Sequence, residues 1–154
     1  MTELRIRRVD IADTLIQELL HVLHSEVFSP EDWTGNTVPK FRTGEWWIAF
    51  DGKDAIAFAG LKPSIRSQAV GYMCSAGVLP SHRGKGLQVR LIRKRVARAR
   101  EHGWHTVITD TVNDNAASMR SLIKCGFRPY LPDVRWNASE GAVYWKRATE
   151  QDKA

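Results

Sequence analysis

The sequence has little cysteine, few acidic residues for its basic ones, and no long apolar run. Its two cysteines, Cys74 and Cys125, are too few for a disulfide framework, and no histidine joins them at metal-ligand spacing. A disulfide-built secreted scaffold is therefore excluded, and no metal is expected. No apolar stretch approaches the roughly 20 residues of a membrane span. Met1-Thr2-Glu3-Leu4-Arg5 opens like a strand and not like a basic segment ahead of an apolar core. The expectation is a cytoplasmic protein without a membrane partner. Asn137-Ala138-Ser139 matches a glycosylation acceptor, but with no secretion signal it counts as chance. Acidic residues number 17 against 23 basic ones, a net charge of +6. That balance suits an anionic partner, nucleic acid or phosphorylated cofactor alike. Two phosphate-binding patterns are missing: the P-loop, and the dinucleotide fingerprint with its third glycine.

What is present is ordinary globular composition, 43% hydrophobic and 26% charged over 154 residues. That length buries a proper core, and residues 1–154 are expected to form a single domain. There is no internal repeat or linker.

Alternation of Leu4 and Ile6 with Arg5 and Arg7 predicts a strand at 3–9. Asp10 is the expected N-cap of a helix from Ile11 to Ser25, with Leu15, Leu19, Val22 and Leu23 at helical spacing. Phe28 to Asn36 is rich in turn residues and holds either a short helix after Pro30 or a loop. Strands are predicted at 45–50, 55–61 and 69–79, the first two joined by the hairpin turn Asp51-Gly52-Lys53-Asp54. Gly71 and Gly77 lie inside the third, where glycine signals a bulge or a close backbone approach. Gly77 would then expose backbone groups to a ligand. A helix at 85–101 carries Val89, Ile92, Val96 and Ala99 on one face, with Arg90, Lys94 and Arg98 opposite. That basic face is either a solvated surface or a nucleic-acid contact, and no aromatics interleave it. A strand at 106–112, a helix at 116–124 capped by Asn113-Asp114-Asn115, and strands at 127–131 and 142–147 complete the chain. The meander at 45–79 should be antiparallel, and the strand–helix–strand unit at 70–111 parallel. The fold class is α/β, a mixed sheet with helices on it.

One stretch organises the rest: Leu79-Pro80-Ser81-His82-Arg83-Gly84-Lys85-Gly86-Leu87-Gln88-Val89. It reads as strand, glycine turn, helix. Two glycines let the backbone turn tightly and come close to a ligand. The free N–H groups of the following helix face that turn, where the helix dipole favours negative charge. Arg83 and Lys85 add positive side chains. Such a turn suits a phosphate or pyrophosphate.

With the helix Asn115-Ala116-Ala117-Ser118 to Cys125-Gly126-Phe127 behind it, this loop resembles the acyl-CoA pyrophosphate loop of the GNAT superfamily of N-acetyltransferases. The likeness in element order covers residues 3–147. It implies a central twisted mixed sheet of 6–7 strands flanked by about four helices. It also implies transfer of an acetyl or other acyl group from acetyl-CoA, or another acyl-CoA, to an amine by direct attack in a ternary complex. Arg83 matches the family's Arg/Gln position and Gly86 its central glycine. Backbone N–H groups of Gly84, Lys85, Gly86, Leu87, Gln88 and Val89 would hold the pyrophosphate. Val78 matches the strand residue that pairs with the pantetheine arm, with Gly77 beside it. Asn115 and Ser118 match cofactor-contacting positions, and Asn115 also reads as a plain N-cap.

Two departures stand out. Gln88 occupies a position usually held by Gly or Ala. Leu122 stands where many members carry a tyrosine that protonates the leaving thiolate, and leucine has no proton to give. Ser121 faces another way on the helix, and Cys125 reads as a small buried residue. His82 sits in the cofactor loop, away from a substrate. Two residues remain as catalytic candidates. Tyr72 lies about six residues before Val78, where the family often has its base, and also reads as a packed strand aromatic. Asp110, at the end of the next strand, is the best placed carboxylate or else a loop anchor. The acceptor would lie between Phe28–Asn36 and Leu131–Gly141, which hold Glu31, Asp32, Asp133 and Glu140 beside Trp33 and Trp136. Carboxylates beside aromatics suit a cationic amine, small molecule or protein. The alternatives are a catalytically silent CoA-binding module and a base-modifying protein that binds nucleic acid through its basic face. A homodimer is left open.

Overall fold

The computed structural model describes residues 3–28, 41–112, 115–137 and 139–150. The elements follow the order β1 (Leu4–Val9), α1 (Thr14–Val27), β2 (Glu45–Asp51), β3 (Asp54–Ser64), β4 (Ser67–Val78), a 3-10 turn (Pro80–His82), α2 (Leu87–Glu101), β5 (Thr106–Val112), α3 (Ala116–Lys124), β6 (Arg128–Tyr130) and β7 (Ala142–Ala148). Hydrogen-bonded neighbours run β1-β2-β3-β4-β5-β7-β6, a seven-stranded mixed sheet. The chain forms two compact units. The first takes in the chain up to Lys62 and then Cys74–Leu87; the second takes in Pro63–Met73 and everything from Gln88. Both β3 and β4 change unit along their length.

In the first unit β1 pairs antiparallel with β2, Leu4 opposite Asp51 and Val9 opposite Trp46. β2 pairs antiparallel with β3 through the expected two-residue turn, where Gly52 has φ +61. The α1 cap is Asp13 and not Asp10. Its carboxylate accepts from Leu15 N at 2.9 Å, while Asp10 accepts from Ala12 N at 3.0 Å in a separate turn just before. Both aspartates satisfy the amide two residues on, but only the second opens a helix. The buried face of α1 meets expectation at Leu19 and Leu23 but not elsewhere. Leu20, Leu23 and His24 are buried, whereas Leu15 is 71% and Val22 52% exposed. Leu20 and Leu23 join Phe41, Trp46, Ile48 and Phe58 in one core cluster. Each such side chain contributes about 1.5–3 kcal/mol by leaving water. Gly77 is a packing glycine: a Cβ there would stand 2.5 Å from Val27 Cγ1 and 3.1 Å from Phe58 Cε1. The close approach predicted at Gly77 is real, but on that side the neighbours are two core side chains and not a ligand.

His24 lies within this aromatic cluster, its ring 4.8 Å from Phe28, 5.8 Å from Phe41 and 6.1 Å from Phe58. Burial, and then the nearby His21, hold its pKa below the ordinary value. The neutral ring folds at no cost and the charged ring does not. Stability is therefore complete above about pH 6.5, the unfolded value, and falls as the pH drops toward the lower folded value. Thermal melts from pH 8 to pH 5 should show this loss, at about 2–4 °C per kcal/mol for a chain of this size. His24→Leu should flatten the slope; an unchanged slope would assign the acid sensitivity to other groups.

In the second unit the first residues of β4 pair in parallel with β5, Val70 opposite Thr106 and Tyr72 opposite Ile108, as a strand–helix–strand crossover requires. β5 pairs antiparallel with β7 over seven residues, and β7 with β6. On α2, Leu91, Ile92, Val96 and Ala99 are buried. Arg147 is 5% exposed and donates Nη1 to Cys125 O at 2.9 Å, placing a cation at the carbonyl end of α3. Three α-helices stand among the described residues; the short helix considered after Pro30 lies outside them.

Candidate active site

The glycine loop has the backbone that an anion cradle needs. Gly84 has φ +78 and Gly86 φ +79, and a Cβ at either would meet nothing within 4 Å. Glycine is required there by the left-handed conformation and not by crowding. Because Gly86 is left-handed, α2 starts at Leu87 and not at Lys85. The first N–H groups of a helix have no partner inside it, so those from Gly86 to Val89 are left for the loop and what it binds. The loop is braced from its own side chains. Arg83 Nε donates to Val78 O at 3.0 Å. His82 Nε2 stands 2.8 Å from Asp51 Oδ2 and its Nδ1 2.7 Å from Ser81 Oγ. His82 thus ties the loop to the end of β2. Lys85 is exposed, with no ion pair among the described residues. An open, glycine-built backbone beside Arg83 and Lys85 at a helix start fits a pyrophosphate.

The second motif is seated as a capped helix. Asn115 Oδ1 accepts from Ser118 N at 3.2 Å, so Asn115 is an N-cap. Ser118 is half-buried in the first turn. Leu122 is 3% exposed, a core residue of α3. Ser121 Oγ donates to Ala117 O at 3.1 Å, within its own helix. Burial pushes the Cys125 thiol up against the opposing pull of Arg93, Arg147, Arg95 and Lys124, so the sulfur is held as a thiol.

The structure brings together the two residues singled out separately as catalytic candidates. Tyr72 Oη donates to Asp110 Oδ1 at 2.7 Å. Two further donors converge on the same carboxylate: Trp136 Nε1 on Oδ1 at 2.9 Å and Asn137 Nδ2 on Oδ2 at 2.6 Å. The Trp136 ring meets Tyr144 edge-on at 4.5 Å and Tyr72 at 6.1 Å. Tyr144 Oη donates to Asn137 O at 3.1 Å and accepts from Asn137 N at 3.2 Å. Tyr130 is 6.5 Å from Trp136; burial and then Tyr144 push its pKa up, so it stays a neutral phenol. The result is a carboxylate held by three donors inside an aromatic wall.

Sequence reasoning missed most of that wall. The sequence sets Trp136 in the acceptor loop but not against Asp110, offers Asn137 only within a glycosylation pattern although its amide bonds Asp110, and does not single out Tyr144. No local signal marks Tyr144: it is the β5–β7 register of the folded sheet that sets it opposite Asp110. Glu31, Asp32 and Trp33 lie outside the described residues. On α2, Arg90 and Lys94 are exposed, whereas Arg98 bonds Glu101 at 2.9 Å. Among the described residues no group of three His, Cys, Asp or Glu side chains could hold a metal ion, and no helix is long and apolar enough to cross a membrane.

Several solved structures share this fold. The yncA protein of Salmonella typhimurium, solved with its cofactor acetyl-CoA, is 19% identical with TM-score 0.71, over 98% of this chain and 96% of that one. An N-acetyltransferase from Staphylococcus aureus is 16% identical with TM-score 0.72, over 96% and 99%. A Bacillus subtilis acetyltransferase in complex with CoA is 19% identical with TM-score 0.68, over 95% and 99%. At such identities the likeness speaks for the fold. No curated protein matches the sequence. The model of the acetyltransferase (GNAT) family matches residues 8–127, from the end of β1 through both motifs to Phe127. The chain belongs to the GNAT family of acetyltransferases.

Proposed function

We propose that residues 1–154 act as one acetyl-CoA-dependent N-acetyltransferase domain that acylates an amine by direct attack in a ternary complex. The observation that carries this reading is the left-handed Gly84 and Gly86 pair opening onto the start of α2. Bound acetyl-CoA supplies an acetyl group activated as a thioester. The N–H groups from Gly84 to Val89 hold its pyrophosphate, and the backbone of Gly77 and Val78 serves the pantetheine arm. Arg83 keeps the loop closed on Val78 O, and Lys85 adds charge. Asn115 spends Oδ1 on its cap, which leaves its Nδ2 and Ser118 Oγ to meet the cofactor.

Tyr72 and Asp110 act as a proton-accepting pair. Tyr72 Oη takes a proton from the amine while its own passes to Asp110 Oδ1, along the 2.7 Å hydrogen bond already formed. Trp136 Nε1 and Asn137 Nδ2 keep the carboxylate aimed. Holding amine and thioester at attack distance supplies a large share of the rate. Calorimetric titration with acetyl-CoA should show saturable submillimolar binding, and an acceptor screen read by product mass should show acetylated amine. Folded protein that binds no acetyl-CoA would overturn the reading. The burial of Leu122 favours one alternative, a silent CoA-binding module, which would bind cofactor but release no thiol above background with any amine.

A further inference from the structure

We propose that Arg135 is a carboxylate-recognising residue of the acceptor site, so that the acceptor is an amine bearing one carboxylate on an apolar or aromatic skeleton. This rests on the acetyltransferase reading for its meaning but not for its test. Two adjoining concavities of the second unit share Arg135, Ala142 and Tyr144. The first, about 380 Å³, is walled by Pro129, Tyr130, Leu131, Val143 and Tyr144, with Arg135 as its one charged group among the described residues. The second, about 490 Å³, adds Asn137 and Glu140. Both are of small-molecule size.

Arg135 has no hydrogen bond or ion pair among the described residues. A guanidinium at the rim of an apolar hollow is poorly matched to its wall and well matched to a planar anion. A carboxylate meets it with two parallel hydrogen bonds, while an apolar side chain fills the wall beside Tyr130 and Val143. Glu140 on the neighbouring hollow repels a second negative charge, which disfavours phosphates and dicarboxylates. The hollow also adjoins the chemistry. Asn137 lines the second concavity and donates to Asp110 Oδ2 at 2.6 Å; Tyr144 lines both and stands opposite Asp110 in the sheet. Asn137 thus belongs both to the concavity that Arg135 lines and to the bonds on Asp110.

The test is calorimetric titration of the protein alone with N-acetylphenylalanine and with its amide, which differ only in the carboxylate. The acid should bind about tenfold more tightly or better. Arg135→Ala should abolish the difference, and Arg135→Lys should keep part of it, with circular dichroism unchanged because the side chain is exposed. Equal affinities, no binding of either compound, or a difference that survives in Arg135→Ala would overturn the inference. A parallel assay with acetyl-CoA and a panel of amines with and without a carboxylate, phenylalanine among them, separates the two readings. Carboxylate binding without any acetyl transfer would sink the transferase and leave the subsite standing. Transfer only to amines without a carboxylate would do the reverse.

Discussion

Gly86→Asp is expected to abolish acetyl-CoA binding while the chain stays folded. Gly86 sits at φ +79 in an exposed loop with open space around a Cβ. Aspartate is among the few residues that enter the left-handed region, at a cost of about 1–2 kcal/mol. That is small beside a typical stability of about 5–15 kcal/mol. The effect on the ligand is larger. A carboxylate within about 4 Å of a phosphate costs about 4 kcal/mol near a protein surface, which is on the order of a thousandfold in affinity. Gly86→Ala carries the backbone cost without the charge and should lose far less. Calorimetry reads the affinity, and circular dichroism with a denaturant midpoint reads the fold. Wild-type affinity in folded Gly86→Asp would put the pyrophosphate somewhere else.

Tyr72→Phe should cut kcat by about 10²–10⁴, the range for loss of a positioned acid or base, with acetyl-CoA affinity unchanged. The phenyl ring keeps its edge-on place by Trp136, and Asp110 keeps its bonds from Trp136 and Asn137. Stability should therefore fall by only about 1 kcal/mol, one hydrogen bond. Asp110→Asn makes the comparison sharper. Its amide nitrogen would face donors that need an acceptor, so it should lose both activity and about 1–3 kcal/mol of stability. A pair that moves protons predicts a changed pH–rate profile in Tyr72→Phe. Wild-type kcat and profile in that variant would make the pair a structural strut.

The phosphate-type loop was legible because its signals lie within six residues. Gly84 and Gly86 announce left-handed backbone, and the apolar positions after them announce a helix. The Gly52-Lys53 turn and the Asn115 cap were legible for the same reason, each needing only its immediate neighbours. The α1 boundary slipped because Asp10 and Asp13 make the same local bond, and only the turn between them separates cap from loop. The α1 face was legible only in part: Leu23 is buried and Leu19 packs on the core as their spacing implies, but Leu15 and Val22 fit the same spacing and stand exposed, while Leu20 is buried. Which stripe is buried depends on where Phe41, Trp46 and Phe58 stand.

The sequence alone therefore determined the order of elements, the parallel crossover and an anion-ready turn, and through two motifs the family. Tertiary structure decided what those elements bring together. Tyr72 and Asp110 are 38 residues apart in the chain, and Asp110 and Asn137 are 27 apart. Their meeting depends on the β4–β5 and β5–β7 registers, and a slip of one residue would turn each side chain to the opposite face. Propensities act over a few residues, while register is settled by the burial of the whole sheet. For that reason the cofactor loop could be read along the chain, whereas the carboxylate with its three donors, and Arg135 at the edge of its hollow, appear only in the folded molecule.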